Sequence, residues 1–108
     1  MKISELLDKL SLEVLSLEDK EREINGCYCS DLLSHCMSNI DYGNIWVTVQ
    51  VNINIVAIAV LTDPSAIIIS QEMQVRDDVI SKAKEEGINL FRSKLPSYEL
   101  CKELGRLI

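Results

Sequence analysis

Three short runs of β-branched and apolar residues, at positions 45–50, 66–70 and 88–91, recur with intervals long enough to hold a helix. Each run is too short to be a helix itself, and the first is bracketed by Gly43-Asn44 and Asn52. They read as strands. Two parallel neighbours need a crossover of a dozen or more residues, usually helical. Residues 51–63 are therefore predicted to be a helix, although their Val and Ile content favours a strand. Residues 76–86 carry Val79, Ile80 and Ala83 on one face, and Gly87 follows where a left-handed helix cap requires it. Ser97 is expected to cap a last helix with Leu100, Cys101, Leu104, Leu107 and Ile108 along one side. The resulting order, β-α-β-α-β-α from residue 45 onward, predicts an α/β fold with a small, mainly parallel sheet and flanking helices.

Ahead of this unit, Ile3, Leu6, Leu7 and Leu10 make one apolar stripe, which predicts a docking helix over residues 1–11. Residues 12–17 read as a strand through Leu12 and Val14, 18–23 as a solvated loop, and 24–28 as a second strand. Ser30 or Asp31 is expected to cap a helix through Leu32, Leu33, Cys36 and Met37, which ends at 39–44 with Gly43. With 108 residues there is room for one core, so a single domain over 1–108 is expected. Seventeen acidic against eleven basic residues give a net charge of −6, which argues against nucleic acid as a general partner. The longest apolar stretch, 53–61, is far short of the ~20 residues that span a bilayer. The chain starts with no secretory pattern, so a cytoplasmic location and no membrane partner are expected.

Ligands of parallel sheets sit beyond the carboxyl ends of strands, near helix N-termini. Three corners qualify. The first holds Gly26, Cys27, Cys29, Ser30 and Asp31, the second Thr48, Gln50, Asn52 and Asn54, and the third Ser70, Gln71 and Glu72. At the second corner the polar side chains either orient a small polar ligand or, for Asn52 and Asn54, cap the next helix. At the first corner Asp31 would repel an anion, which favours a simple cap. The predicted helix over 53–61 is apolar nearly all round, so Ile53, Ile55, Val56, Ile58 and Ala59 are expected at a homodimer interface.

Cys27, Cys29 and Cys36 lie close together in sequence and raise the alternative of zinc or an iron–sulfur cluster. The expectation is nevertheless no metal and no cofactor, because such sites use four ligands at other spacings, and His35 next to Cys36 on a helix points about 100° away. Cys36 and Cys101 fall on apolar helix faces and read as core. A reactive Cys29 at a helix N-terminus is chemically allowed, but no base accompanies it. Trp46 reads as core or interface. No G-x-x-x-x-G-K-[ST] string occurs, so the common phosphate-cradling loop is missing and no catalytic residues are assigned.

The runs Asn25-Gly26-Cys27-Tyr28-Cys29-Ser30-Asp31-Leu32-Leu33-Ser34, Gly43-Asn44-Ile45-Trp46-Val47-Thr48-Val49-Gln50 and Asn54-Ile55-Val56-Ala57-Ile58-Ala59-Val60, with Lys82-Ala83-Lys84-Glu85-Glu86-Gly87-Ile88, resemble the small stand-alone DRTGG-domain proteins. The Asp-Arg-Thr-Gly-Gly string of their name does not occur here. The resemblance implies a domain akin to the N-terminal region of HPr kinase/phosphorylase and to one found with CBS domains in regulated pyrophosphatases. Relatives often carry a serine-kinase label, but the kinase chemistry belongs to a separate P-loop domain. Similar proteins are encoded beside iron-hydrogenase components in anaerobic bacteria, which implies a partner in a redox or regulatory system. The expected function is a non-catalytic regulatory module, homodimeric, binding a small polar or nucleotide-like ligand. The alternative is a metal or iron–sulfur accessory protein.

Overall fold

The computed structural model describes all residues, Met1 to Ile108. Five strands, β1 (Glu13–Ser16), β2 (Cys27–Cys29), β3 (Ile45–Thr48), β4 (Ala66–Ile69) and β5 (Leu90–Arg92), form one sheet in the order β1-β5-β4-β3-β2. β2 through β5 are parallel, and β1 adds to β5 antiparallel with a register shift between Val14 and Ser16. That shift turns the strand, so Val14 faces solvent while Ser16 is buried, opposite to the alternation expected from Leu12 and Val14. The helices are α1 (Ile3–Lys9), α2 (Leu33–Asn39), α3 (Asn54–Thr62), α4 (Asp77–Glu85) and α5 (Ser97–Leu107). The second strand is shorter and later than the run 24–28. The positive φ of Gly26, 76°, breaks the extended chain just before it.

Alternation along the strands divides the interior into two layers. Trp46, Ile67, Ile69 and Leu90 face α2, α3 and α4, where they meet Cys36, Ile55, Val56, Ile58, Val79 and Ala83. Ile45, Val47, Ala66, Ile68 and Phe91 face the other way and pack on Ile3 and Leu6 of α1 and on Leu100 and Leu104 of α5. The four parallel strands step across the sheet in one direction. Crossovers of one hand therefore put all three intervening helices on the same face, and α1 and α5 cover the opposite one.

Local chemistry explains the boundaries. Helix α4 ends in a Schellman motif: Ile88 N–H donates to the Ala83 carbonyl at 2.8 Å, Gly87 N–H to Lys84 at 3.2 Å, and Gly87 has φ 73°. Helix α3 ends on Asp63 in the left-handed region, φ 57°. The strain there is offset by Arg22, which donates to the Asp63 carboxylate at 3.0 Å and to its carbonyl at 2.8 Å. The buried Asn89 amide accepts from Glu18 and Asp19 N–H and donates to the Asp19 and Ser65 carbonyls. All four bonds lie at 2.8–3.0 Å, so one side chain ties the 18–23 loop to the start of β4.

Helix α3 corrects the interface expectation. Ile55, Val56, Ile58 and Ala59 are 0–5% exposed and belong to the chain's own core, so they cannot form a surface for a second copy. A helix over a single sheet needs only one apolar face. The surplus apolar residues, Ile53, Val60 and Leu61, point outward instead.

Candidate functional site

In parallel sheets the ligand crevice opens where neighbouring connections leave the carboxyl ends of strands toward opposite faces. The connections after β2, β3 and β4 all lead to the α2–α4 face, and only the one after β5 leads to the other. The divide falls between residues 70–76, after β4, and residues 93–96, after β5. A groove of about 800 Å³ opens there, within the size range of small-ligand sites. Glu72, Gln74, Arg92, Ser93, Lys94 and Leu95 line it from the strand ends, while Leu10, Ser11, Leu12, Glu13 and Leu100 line it from the α1 and α5 side.

The two loops that frame the groove hold each other. Gln71 N–H donates to the Leu95 carbonyl and Glu72 N–H to the Ser93 carbonyl, both at 2.8 Å. The Ser70 and Ser97 hydroxyls lie 2.6 Å apart. The serine expected to cap α5 is thus its first helical residue, and its hydroxyl is bonded to Ser70, just after β4, instead; Pro96 takes the cap position. Gln71 and Glu72 have φ of 62° and 51°, a left-handed pair without a glycine. Such backbone persists only where surrounding bonds hold it, and it concentrates at functional sites. On the groove wall, Arg92 is committed: it grips both Glu13 carboxylate oxygens, at 2.8 and 2.6 Å, and the Met73 carbonyl at 3.1 Å. Lys94 and Glu72 remain as an unpaired cation and an unpaired anion.

The residues singled out from the sequence are only partly brought together. Asp31, Thr48 and Gln50 meet at the carboxyl ends of β2 and β3. Asp31 Oδ1 accepts from the Thr48 hydroxyl and from Val49 N–H, each at 2.8 Å, and the Gln50 amide donates to the Asp31 carbonyl at 3.0 Å. Asp31 therefore joins two loops rather than capping α2, whose N-cap is Leu32. Ser30 Oγ accepts from Leu32 N–H at 3.3 Å, while its carbonyl accepts from the Trp46 indole at 3.1 Å. Trp46 is fully buried and belongs to the core. Asn52 Oδ1 accepts from Asn54 N–H at 2.8 Å, one turn residue ahead of the helix, and the Asn54 side chain is exposed. Gly26 lies at the amino end of β2, bonded to Ile45 and close to Asn44, at the far end of the sheet from the others.

The cysteines also divide. Cys27 and Cys29 are paired in register with Ile45 and Val47, so they point to the α1–α5 face. Cys36 is buried on the opposite face, its thiol donating to the Ser30 carbonyl at 3.4 Å. The sheet separates it from the other two, which removes the ligand set Cys27, Cys29 and Cys36. The third thiol at the strand pair is Cys101 of α5, which interacts with both. Strand parity with helix-face analysis could have found it, because both place these residues on one side. Cys29 is not an activated nucleophile either. Helix α2 starts only at Leu33, and burial, then the Cys101 thiol and the Asp31 charge, push the Cys29 thiol up to about 11. No group of three or more His, Cys, Asp or Glu residues is arranged to hold a metal ion. No helix is long and apolar enough to cross a membrane.

No family model matches the chain, and no curated protein matches it in sequence. In structure it is similar to the regulatory region, CBS and DRTGG domains, of Clostridium perfringens pyrophosphatase, solved in complex with the activator diadenosine tetraphosphate. The TM-score is 0.77 at 18% identity, over 95% of this chain and 45% of that one. The chain thus spans less than half the length of that region. The likeness concerns a regulatory region and lends nothing to the HPr-kinase label. The protein has an α/β fold of the kind found in this CBS and DRTGG regulatory region.

Proposed function

We propose that the chain is a non-catalytic regulatory module which takes a small nucleotide-like ligand in the groove beyond β4 and β5. The observation that carries this reading is the coincidence of that groove with the one place where connections part to opposite faces. The strained Gln71-Glu72 pair lies on its rim. The two uncommitted charges suit a ligand with both an anionic and a hydroxyl-bearing end. Lys94 would meet phosphate as a point charge, and Glu72 would accept from ribose hydroxyls, as acidic residues do in other parallel-sheet nucleotide sites. The fold likeness supports the same reading, since the similar regulatory region takes a dinucleotide activator.

Calorimetric titration of the full chain with AMP, ADP, ATP and diadenosine tetraphosphate tests this. One of the four is expected to bind saturably. Lys94→Ala should weaken that binding about tenfold, the worth of one charge-assisted hydrogen bond, without lowering the melting temperature. No binding by any of the four to folded protein overturns the proposal. Binding that Lys94→Ala and Glu72→Gln leave unchanged removes the ligand from this groove.

A further inference from the structure

Two of the four cysteines occupy alternate positions of the edge strand β2, so their side chains share one face. That face is covered by α5, and Cys101 packs against the same layer, which includes Ile45 and Val47 beside Cys27 and Cys29. All three thiols are free. Cys27 and Cys29 are exposed, and Cys101 is half-buried against the core layer on that face. Helix α5 packs against β2, so the Cys101 side chain shares this layer with both strand thiols. Cys27 and Cys29 are poorly placed for each other. Two residues apart on an extended strand, their Cα atoms lie about 6.6 Å apart with side chains parallel, at the edge of what a disulfide spans. A residue approaching from the facing helix has no such handicap.

We propose that Cys101 forms a reversible disulfide with one of the two edge-strand thiols, Cys27 or Cys29, locking α5 onto β2. The oxidant is a low-molecular-weight disulfide, RSSR. One protein thiolate attacks a sulfur of RSSR, forming a mixed disulfide and releasing one RSH after proton uptake. The second protein thiolate attacks the protein-side sulfur and releases the other. Two protein thiols are oxidised to one disulfide, and RSSR is reduced to two RSH. Two RSH reverse the sequence and reopen the bond, re-forming RSSR, whereas the third protein thiol can only shift the bond from one strand cysteine to the other. The lock closes a loop that spans most of the chain, which constrains the unfolded state strongly. It also fixes the helix whose Leu100, next to Cys101, forms part of the groove wall.

Treatment of the full chain with oxidised glutathione, followed by intact mass, peptide mapping and thermal unfolding, tests the proposal. The expected product has lost two hydrogens and yields a cross-linked peptide containing Cys101. It melts at least about 5 °C above the reduced protein, a cautious share of what a long loop provides. Cys101→Ser should end as glutathione adducts with no internal bond, while Cys36→Ser should behave as the wild type. If Cys101→Ser does not fold, the double variant Cys27→Ser/Cys29→Ser carries the same expectation. Only glutathione adducts on the wild type, or a Cys27–Cys29 bond that persists without Cys101, overturns the proposal. Neither outcome bears on nucleotide binding, which is measured separately on the reduced protein.

Discussion

Asp31 and Thr48 are joined by a hydrogen bond of 2.8 Å from a fully buried hydroxyl to a carboxylate oxygen that also holds Val49 N–H. The bond ties the β2–α2 connection to the end of β3. Thr48 Oγ1 in turn accepts from Gln50 N–H at 3.1 Å, so the donors and acceptors of this corner satisfy one another. A corner of this kind fixes backbone and leaves little to offer a ligand. Asp31→Ala strips the acceptor from a buried hydroxyl and an amide and should cost about 1–3 kcal/mol in urea unfolding. Asp31→Asn, which keeps an acceptor oxygen, should cost less. Nucleotide binding should survive both substitutions. A loss of binding in a folded Asp31→Asn protein would move the ligand site to this corner.

Glu72 tests whether the groove rim stores strain. Its φ of 51° costs a residue with a Cβ about 1 kcal/mol relative to glycine. Glu72→Gly should therefore raise stability by about 1 kcal/mol, a few degrees in melting temperature, while weakening nucleotide binding through loss of the carboxylate. Stability and binding moving in opposite directions is the signature of a residue kept for function. If Glu72→Gly destabilises the protein, the conformation is not strained.

Helix α3 carries an outward apolar stripe at Ile53, Ala57, Val60 and Leu61, spaced by three to four residues, and has no charged residue between Asn54 and Thr62. A homodimer through α3 would bury this stripe, not the core residues behind it. Leu61, 71% exposed, can be changed without disturbing packing. Light scattering on a sizing column should find a dimer for the wild type and a monomer for Leu61→Lys. Ile58→Ala should lower stability by about 2–5 kcal/mol through a core cavity, with no direct effect on association. A wild type that is monomeric at high concentration ends this reading.

The parallel sheet was legible because spacing constrains it. Strands at 45–48, 66–69 and 90–92 separated by helix-length intervals admit few topologies, and that argument rightly overrode the strand propensity of Ile55, Val56 and Ile58. The Gly87 cap was equally plain, since few other residues accept its φ. The groove was harder to see. Ser70, Gln71 and Glu72 were visible as a corner, and Arg92 and Lys94 reach it through the β4–β5 pairing, but Glu13 joins only through the antiparallel addition of β1, which no local pattern signals. The cysteines mislead for a related reason. Nearness in sequence groups Cys36 with Cys27 and Cys29, whereas the sheet puts it behind a wall and brings in Cys101 from the far end of the chain.

The thiol cluster gives stability a pH dependence with a defined sign. Partial burial of the two sulfur atoms, on residues that are exposed as a whole, is the main cause that pushes Cys27 and Cys29 up to about 11 from an ordinary 9.0; the Cys29 thiol adds to it for Cys27, and the Cys101 thiol and the Asp31 charge for Cys29. Because the folded protein favours the neutral thiol, this contribution is fully present below pH 9 and is lost as pH rises toward 11. Reduced wild-type protein should therefore show a steeper fall in melting temperature between pH 9 and 11 than the Cys27→Ser/Cys29→Ser variant. The same shift keeps the thiolate scarce at neutrality, so alkylation of the strand cysteines should accelerate about tenfold per pH unit until their pKa is reached. A variant that follows the wild-type curve, or fast alkylation at pH 7, would show that these thiols are not held neutral by the fold.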